Sequence, residues 1–202
     1  MVKQSYVSGT GDIPLIGVTI GEKFDEIVNN YSDREALIVV HQNIRWTYQQ
    51  LSDEVVKCAK ALMACGLQKG DRLGIWAPNQ SEWTILQFAT AKAGIILVNI
   101  NPSYRKQEVQ YALNQSGCKM IVLADQFKTS DYTGMISDLA PELKTSTSGQ
   151  LNATDLPELR MAVVLSDSPA DGFLSWKDLI NKASEVSDEQ LQARQDLSLI
   201  HI

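Results

Sequence analysis

The stretch "AKAGIILVNINPSY", residues 91–104, contains a complete helix-to-strand junction. Its first residues are typical of the last turn of a helix, and Gly94 can adopt the left-handed conformation that ends many helices. The apolar run after it is typical of a buried strand, and Pro102 closes a polar turn. A helix, a glycine stop and a buried strand in direct succession predict strands that are connected by helices.

The same alternation extends outward from this stretch. Apolar, β-rich runs predict strands at 72–77, 95–100, 119–124 and 161–165. Helices are predicted from Ser81 to Gly94, through Val109, Ala112 and Leu113 to Gly117, around Met135–Leu139 before Pro141, and after a cap at Ser175. Near-continuous apolar strands separated by helices predict an α/β fold with a doubly wound parallel sheet layer, covered on both faces.

The residues upstream predict a helix, a hairpin and a second helix. The first helix has one apolar face, formed by Phe24, Ile27, Val28 and Tyr31. Two β-rich runs, 36–40 and 44–48, flank "HQN" and predict a hairpin. Thr47 and Gln50 form a T-x-x-Q capping box, so a helix is expected to begin there and to end at Gly66. Its predicted apolar stripe comprises Leu51, Val55, Cys58, Ala59 and Leu62.

The composition excludes several classes of partner. The 202-residue chain carries a formal net charge of −6, and it has no cluster of Lys or Arg, so we expect no nucleic-acid binding. The longest apolar run, "GIILV", is much shorter than the roughly 20 residues of a membrane-spanning helix. We therefore expect no transmembrane segment.

The cysteines do not indicate a disulfide framework or a metal centre. Three cysteines are an odd number, and Cys58 and Cys65 lie on one predicted helix, roughly 10 Å apart along its axis. The two histidines, His41 and His201, have no ligand-like spacing to any cysteine. We interpret the cysteines as reduced, small apolar residues.

In doubly wound sheets, ligands bind beyond the carboxyl ends of the strands, so the turns there are the first places to search. Ser81 opens a predicted helix and could help to hold an anion, but N-capping explains it better. Arg105 and Lys106 are interpreted as a solvated helix start, and His41 as a solvated turn residue. No Ser, His and Asp set has the context of a nucleophile elbow.

Two glycine-containing stretches imitate phosphate loops. "SGTGDIPLIG", residues 8–17, lacks the preceding strand and the third glycine of a dinucleotide fingerprint. "TSTSG", residues 145–149, has no lysine to neutralise a phosphate, and it lies in a polar stretch, 144–155, that predicts a surface loop with a disordered character.

Three stretches together carry a resemblance: "RWTYQQL" (45–51), "GLQKGDRLGIWAPNQSEW" (66–83) and "ATAKAGIILVNINPSYRKQEVQYALNQSGCK" (89–119). They resemble the N-terminal part of the adenylate-forming acyl-CoA synthetases, in the fatty-acid (medium-chain) acyl-CoA ligase branch. The similarity extends from about Tyr6 to about Gln195. It implies that the opening stretch is scaffold of the large domain rather than catalyst.

The resemblance implies a two-step reaction for a full-length enzyme. A fatty acid and Mg-ATP give an acyl-adenylate and pyrophosphate, and coenzyme A then gives the thioester and AMP. The family's phosphate loop, Y/F-T-S-G-T-T-G-x-P-K-G, does not occur in this chain. We therefore assign no catalytic, cofactor-binding or metal-binding residue. ATP, Mg and coenzyme A are expected for the full-length enzyme, and we expect none of them to bind this chain productively and the chain to be inactive.

The expected division of the chain is a lead-in segment at 1–20, the N-terminal part of the AMP-binding domain at 21–196, and an artefact at 197–202. The codons CTG TCT CTT ATA CAC ATC, the transposon end used to fragment DNA for sequencing libraries, would encode the last six residues, "LSLIHI", in order. We interpret these six residues as the product of a reading frame that runs into adaptor sequence.

Two other interpretations stay open: a short, non-catalytic binding or regulatory paralogue, and another adenylate-forming ligase such as an aryl- or amino-acid-activating enzyme. No targeting segment is visible in the first residues, so the expected compartment is the cytoplasm. The mitochondrial matrix is the alternative if the N-terminus is incomplete.

Overall fold

The computed structural model describes residues 16–167 and 169–196. The helices are α1 (Ile20–Tyr31), α2 (Tyr48–Ala64), α3 (Ser81–Ala93), α4 (Lys106–Ser116), α5 (Tyr132–Leu139), α6 (Trp176–Asn181) and α7 (Asp188–Asp196). The strands are β1 (Glu35–Val39), β2 (Ile44–Thr47), β3 (Arg72–Trp76), β4 (Ile96–Asn99), β5 (Cys118–Leu123), β6 (Gln126–Phe127), β7 (Ser130–Asp131), β8 (Met161–Val164) and β9 (Leu174–Ser175). Short 3-10 helices occupy Val40–Gln42, Pro141–Lys144 and Lys182–Glu185.

The main sheet formed by the described residues has five parallel strands in the order β4-β3-β5-β8-β9. From β3 the chain moves outward to β4 through α3, and it then returns past β3 to β5 through α4. Because such crossovers are right-handed, α3 and α4 lie on opposite faces of the sheet. Consistently, α3 packs against α1, α2 and α7, whereas α4 packs against α5. The predicted doubly wound α/β layer is confirmed.

The core is built from strands that are apolar on both faces. Residues 73–76 of β3 and the residue that follows the strand are buried. The β5 residues 120–123 and the whole of β8 are also buried. Gly74 marks the tightest point, since a Cβ there would lie 3.0 Å from Cδ1 of Ile100 and 3.4 Å from Cδ2 of Leu113. This glycine allows α4 and the end of β4 to approach β3 closely.

The N-terminal elements follow the local signals of the sequence. β1 and β2 form the predicted antiparallel hairpin, and the 3-10 helix supplies its turn. Thr47 and Gln50 make the predicted capping box, with the Thr47 N–H donating to Oε1 of Gln50 at 2.9 Å. The five predicted stripe residues of α2 are all buried, and Gly66 follows the helix with φ of 86°.

One prediction about local structure is wrong, and another is incomplete. Ser81 does not cap α3; it is the first helical residue, and the N-cap position belongs to Gln80, whose side chain makes no capping bond. The stretch 144–155 is largely a surface loop, as predicted, but Leu151 and Ala153 within it are each 2% exposed and belong to the core. Short-range patterns reveal neither the cap of α3 nor the burial of these two residues.

A polar cluster joins three helices on the α3 side of the sheet. The Lys92 side chain is 4% exposed and forms an ion pair with Asp25 of α1. Gln195 of α7 donates to Oδ2 of Asp25 at 2.9 Å, and its Oε1 accepts from Nζ of Lys92 at 3.3 Å. Gly21 makes room for the cluster, because a Cβ there would lie 3.2 Å from Cγ of Lys92. The cluster fixes α7 against α1 and α3.

Candidate functional site

The crevice between the carboxyl ends of β3 and β5 is the place where this topology would put a ligand. β3 connects through α3 toward one edge of the sheet, and β5 connects through α5 toward the other, so the two exits diverge. Such switch points hold the ligands of doubly wound proteins.

Two stacked aromatic rings fill this crevice. Trp76, the last residue of β3, and Tyr132, the first residue of α5, are both fully buried, and their ring centroids are 4.0 Å apart at an angle of 23°. Nε1 of Trp76 donates to the Asn101 carbonyl at 3.1 Å, and the Tyr132 hydroxyl donates to the Pro102 carbonyl at 2.5 Å. Burial raises the pKa of the Tyr132 hydroxyl, and the Arg105 guanidinium acts on this pKa in the opposite direction. The hydroxyl therefore stays a proton donor.

This aromatic pair fixes the turn of the opening stretch, residues 100–104, against the exits of β3 and β5. The polar atoms of Trp76 and Tyr132 form hydrogen bonds to that turn, so they are not available as reactive groups in the described crevice. We call this pair the aromatic brace. The sequence did not reveal the pair, because Trp76 and Tyr132 are 56 residues apart (132 − 76) and each looks like an ordinary core residue in its own element.

The turn after β3 does not offer an anion site at the start of α3. The N–H of Ser81 donates to Oε1 of Gln42 at 2.7 Å, so a hairpin residue satisfies it. The Ser81 hydroxyl donates to Oε2 of Glu82 at 2.9 Å, and Gln42 Nε2 donates to the same oxygen at 3.0 Å. A carboxylate already occupies the position where an external anion would bind.

The turn after β5 carries two carboxylates, and both are used in local structure. Asp131 caps α5, since its Oδ1 accepts from the Gly134 N–H at 2.8 Å. Asp125 accepts at Oδ1 from the Thr133 hydroxyl at 3.0 Å. No group of three or more His, Cys, Asp or Glu side chains within 16–167 and 169–196 is arranged to hold a metal ion.

The remaining candidate residues lie apart from the crevice and from one another. His41 is exposed in the 3-10 turn of the hairpin, as predicted. Lys106 pairs with Asp138 at 3.0 Å, and Arg105 donates to the Thr129 hydroxyl at 3.4 Å, so both belong to the solvated start of α4, as predicted.

The two imitation phosphate loops contribute no phosphate site among the described residues. Thr145 and Ser146 both donate their hydroxyl protons to the Glu142 carbonyl, at 3.2 and 2.7 Å, and thereby end a 3-10 helix. The other stretch is 8–17, and its residues 8–15 lie outside the described residues.

The cysteines behave as apolar residues. Cys58 and Cys118 are buried and Cys65 is half-buried, and all three thiols are free. Burial raises the pKa of Cys58, with Glu54 and Cys65 acting in the same direction. Burial also raises the pKa of Cys65 to about 11, and Lys182 opposes that effect. A thiol of this kind is a weak nucleophile near neutral pH.

Most of the candidate groups described above are already bonded within the fold. The Ser81 N–H and the hydroxyls of Ser81, Thr145 and Ser146 all have partners, whereas the buried Nε2 of Gln80, just before α3, has none. The Asp125 and Asp131 carboxylates accept hydrogen bonds in the turn after β5. These bonded groups do not by themselves form a site for the phosphates of ATP or coenzyme A, or for Mg. None of the described helices is long and apolar enough to cross a bilayer.

Solved structures with the same architecture define the class of fold. The anthranilate CoA ligase AuaEII in complex with anthranoyl-AMP superposes with a TM-score of 0.68 at 22% identity, covering 84% of this chain and 29% of that one. A Mycobacterium tuberculosis fatty acyl CoA synthetase gives 0.60 at 21% identity, covering 85% and 29%. The fold is that of part of the N-terminal domain of adenylate-forming ligases, since the chain covers 37% of a solved N-terminal domain, that of FACL13 from Mycobacterium tuberculosis.

Sequence similarity then places the chain within this class. The pattern of the family described as AMP-binding enzyme matches residues 24–198, so the chain belongs to that family. The mouse medium-chain acyl-CoA ligase ACSF2, mitochondrial, is 44% identical over 176 residues, which are 87% of this chain and 28% of that protein. The chain thus spans less than a third of the length of this curated relative. The resemblance inferred from the three motifs is confirmed.

Proposed function

We propose that residues 21–196 are the N-terminal part of the AMP-binding domain of an AMP-forming fatty-acid:CoA ligase. The observation that supports this most is the 44% identity to the mouse medium-chain ligase, which extends through most of the chain. The proposed reaction of the longer protein converts a fatty acid, ATP and coenzyme A to acyl-CoA, AMP and pyrophosphate. Residues 1–20 would be its lead-in segment.

In this proposal residues 21–196 supply scaffold, and ATP, Mg and coenzyme A bind to other parts of the longer protein. The support is the aromatic brace, which holds the turn of residues 100–104 at the edge where the topology would admit a ligand. A rigid edge of this kind can position loops that contact substrates, since precise placement of groups contributes strongly to catalysis. The scaffold would act by placement and would not itself bind phosphate.

The isolated chain is accordingly proposed to be inactive. ATP/pyrophosphate exchange with fatty acids of different length measures the first half-reaction directly. We expect no exchange above that of a heat-killed sample. Exchange that depends on both Mg and fatty acid would contradict the proposal and would place phosphate ligands within residues 1–196.

The reaction itself is tested with the longer product of the gene, reconstructed from unfragmented source DNA. The matched control is the 202-residue chain, and the acids are medium-chain fatty acids, long-chain fatty acids and anthranilate. Release of AMP with formation of fatty acyl-CoA is the expected result. Adenylation of the aromatic acid alone, or formation of ADP, would show that the substrate branch is wrong while the fold assignment stands.

The same DNA tests the proposal that residues 197–202, which lie outside the described residues, derive from adaptor. We expect a different sequence after codon 196, continuing in frame to a T-S-G-T-T-G-type loop. Recovery of the same six codons followed by a stop would instead favour a short, non-catalytic paralogue.

We further propose the mitochondrial matrix as the compartment of the longer protein, because the mouse relative is named a mitochondrial protein. This replaces the cytoplasm that the sequence alone favoured. Cell fractionation of the longer product with a C-terminal tag decides between them, and recovery in the cytosolic fraction would contradict the matrix assignment.

A further inference from the structure

The β4 strand forms an open edge of the main sheet. Ile96 donates its N–H to the Asp71 carbonyl at 2.8 Å, and Ile100 donates to the Ile75 carbonyl at 3.0 Å, so these N–H groups point toward β3. Successive residues of a strand direct their backbone groups to opposite sides. The N–H and C=O groups of Leu97 and Asn99 therefore point away from the sheet, and no described strand lies beside them.

This edge lacks the features with which monomeric proteins protect an open strand. Charged side chains, prolines, bulges and very short strands are the usual protection. The sequence of β4 is Ile-Leu-Val-Asn, it pairs with β3 in unbroken register, and its Ile96 side chain is 46% exposed. The opposite edge strand, β9, has only two residues. β4 is thus the edge that can accept another strand.

The surface beside β4 on the α3 side is uncharged. A cavity of about 260 Å³ there is lined by neutral residues, namely Gln87, Thr90, Ala91, Ile95, Ile96, Leu97 and Asn99. The helix that follows β4 in the chain, α4, carries a groove of about 480 Å³ in whose lining only Glu108 is charged. Two copies of a chain with net charge −6 repel each other in general, but this face avoids most of that repulsion.

We propose that two copies of the chain associate through β4, antiparallel about a two-fold axis. A two-fold contact uses the same patch on both copies, and a neutral patch is compatible with itself. Because Leu97 and Asn99 carry the outward groups, the register places Val98 opposite Val98 of the second copy. Leu97 then exchanges both backbone hydrogen bonds with Asn99 of the second copy, and the two sheets become one continuous sheet.

The outward N–H of Asn99 provides a selective test. Asn99→Pro removes that donor, and it leaves the bonds of β4 to β3 intact, because those use Ile96, Val98 and Ile100. Ile96→Lys is a second, independent variant, since it brings two like charges close to the axis. Val40→Lys is the matched control, because Val40 is 86% exposed and belongs to the hairpin turn rather than to β4.

Sedimentation velocity over a range of concentrations measures the association. We expect a dimer for the unaltered chain and for Val40→Lys, and a monomer with unchanged circular dichroism for Asn99→Pro and for Ile96→Lys. A monomeric unaltered chain, or association that both β4 variants retain, would overturn the proposal. If Asn99→Pro unfolds, the result from Ile96→Lys decides.

Amide hydrogen exchange supplies a second readout. Leu97 and Asn99 are expected to be protected only at concentrations where the dimer forms. Protection that is independent of concentration would overturn the proposal. Protection seen only in the longer gene product would also overturn it, because it would mean that another segment of the same polypeptide pairs with this edge.

Discussion

At the scale of single residues, the strongest constraints come from side chains that connect distant parts of the chain. Trp76 and Tyr132 each belong to a different element, and each donates to a carbonyl of the turn after β4. Aromatic pairs add about 0.5–1.5 kcal/mol to the energy of burial. We expect the aromatic brace to contribute strongly to the stability of this part of the fold.

Substitutions at these two positions should lower the free energy of unfolding by different amounts, because they remove different interactions. Trp76→Ala removes a fully buried ring, its stack and a hydrogen bond, so we expect a loss of about 3–5 kcal/mol in the free energy of unfolding. Tyr132→Phe keeps the stack and removes only the hydroxyl, so we expect a loss of about 1–2 kcal/mol. Urea denaturation measures both.

The control for this pair is Tyr111→Phe, because Tyr111 is 69% exposed on α4. Its effect should stay within about 0.5 kcal/mol. Equal losses for Tyr132→Phe and Tyr111→Phe would mean that the bond to the Pro102 carbonyl contributes nothing.

Cys58 predicts a dependence of stability on alkaline pH. Its folded-state pKa is raised by burial, so above the ordinary thiol pKa the unfolded chain loses a proton that the folded chain keeps. The free energy of unfolding should therefore be unaffected by this thiol below about pH 8, and above that it should fall by up to about 1.4 kcal/mol per pH unit.

Cys58→Ala tests this dependence. The variant should be less stable at neutral pH because of the lost packing, but its stability should fall less steeply between about pH 8.5 and 10. Chemical denaturation at a series of pH values under reducing conditions gives the slope, and an unchanged slope would contradict the prediction.

At the scale of elements, helix starts show two ways of satisfying free N–H groups. α2 uses a capping box within its own sequence, from Thr47 to Gln50. α3 instead uses Gln42, which lies 39 residues before Ser81 in the chain and reaches its N–H from the hairpin turn. The hairpin is therefore part of the structure that starts α3.

Alanine substitutions should separate the two kinds of start. We expect Thr47→Ala and Gln42→Ala each to lower the free energy of unfolding by about 1 kcal/mol, because each leaves a helix-start N–H without its acceptor. Ser81→Ala should cost less than Gln42→Ala, because Oε2 of Glu82 keeps Nε2 of Gln42 as a donor when the Ser81 hydroxyl is lost. Thermal unfolding provides the comparison, and a larger loss for Ser81→Ala than for Gln42→Ala would reverse the assignment.

This contrast also explains which elements could be predicted from the sequence. The capping box of α2, the glycine stops at Gly94 and Gly117 and the cap at Ser175 depend on residues within one turn, and all are observed. The cap of α3 and the burial of Leu151 and Ala153 depend on the tertiary structure. Short-range patterns contain no information on it.

At the scale of the whole molecule, α7 is attached mainly by polar contacts. Its buried residues are Leu191 and Gln195, and it also uses an ion pair between Lys60 and Asp188 at 2.6 Å. Arg194 donates to the Leu67 carbonyl at 3.2 Å. A helix with so little apolar surface should depend on the Lys92 cluster for its position.

Lys92→Met is expected to loosen α7. The substitution keeps most of the buried stem but leaves Asp25 and Gln195 without their cationic partner, so we expect a loss of about 1–3 kcal/mol. Hydrogen exchange should become faster in residues 188–196 than in α2. Lys23→Met is the control, because the exposed pair of Lys23 with Glu26 should contribute less than about 1 kcal/mol.

The candidate site shows the limit of sequence-based prediction at this scale. The doubly wound topology was predictable, and with it the edge at which a ligand would bind, because both follow from the alternation of elements. The aromatic brace was not, because Trp76 and Tyr132 meet only when β3, β5 and α5 are assembled. Side-chain placement within a predicted crevice requires the tertiary structure.

The stacked pair of Trp76 and Tyr132 also gives the chain a built-in optical reporter. Two aromatic chromophores held 4.0 Å apart in a fixed, asymmetric arrangement should contribute to the near-ultraviolet circular dichroism, a signal that disappears when specific packing is lost. The difference spectrum between the unaltered chain and Trp76→Phe isolates that contribution. The closure of the crevice could then be followed without a label, in the 202-residue chain and in the longer gene product.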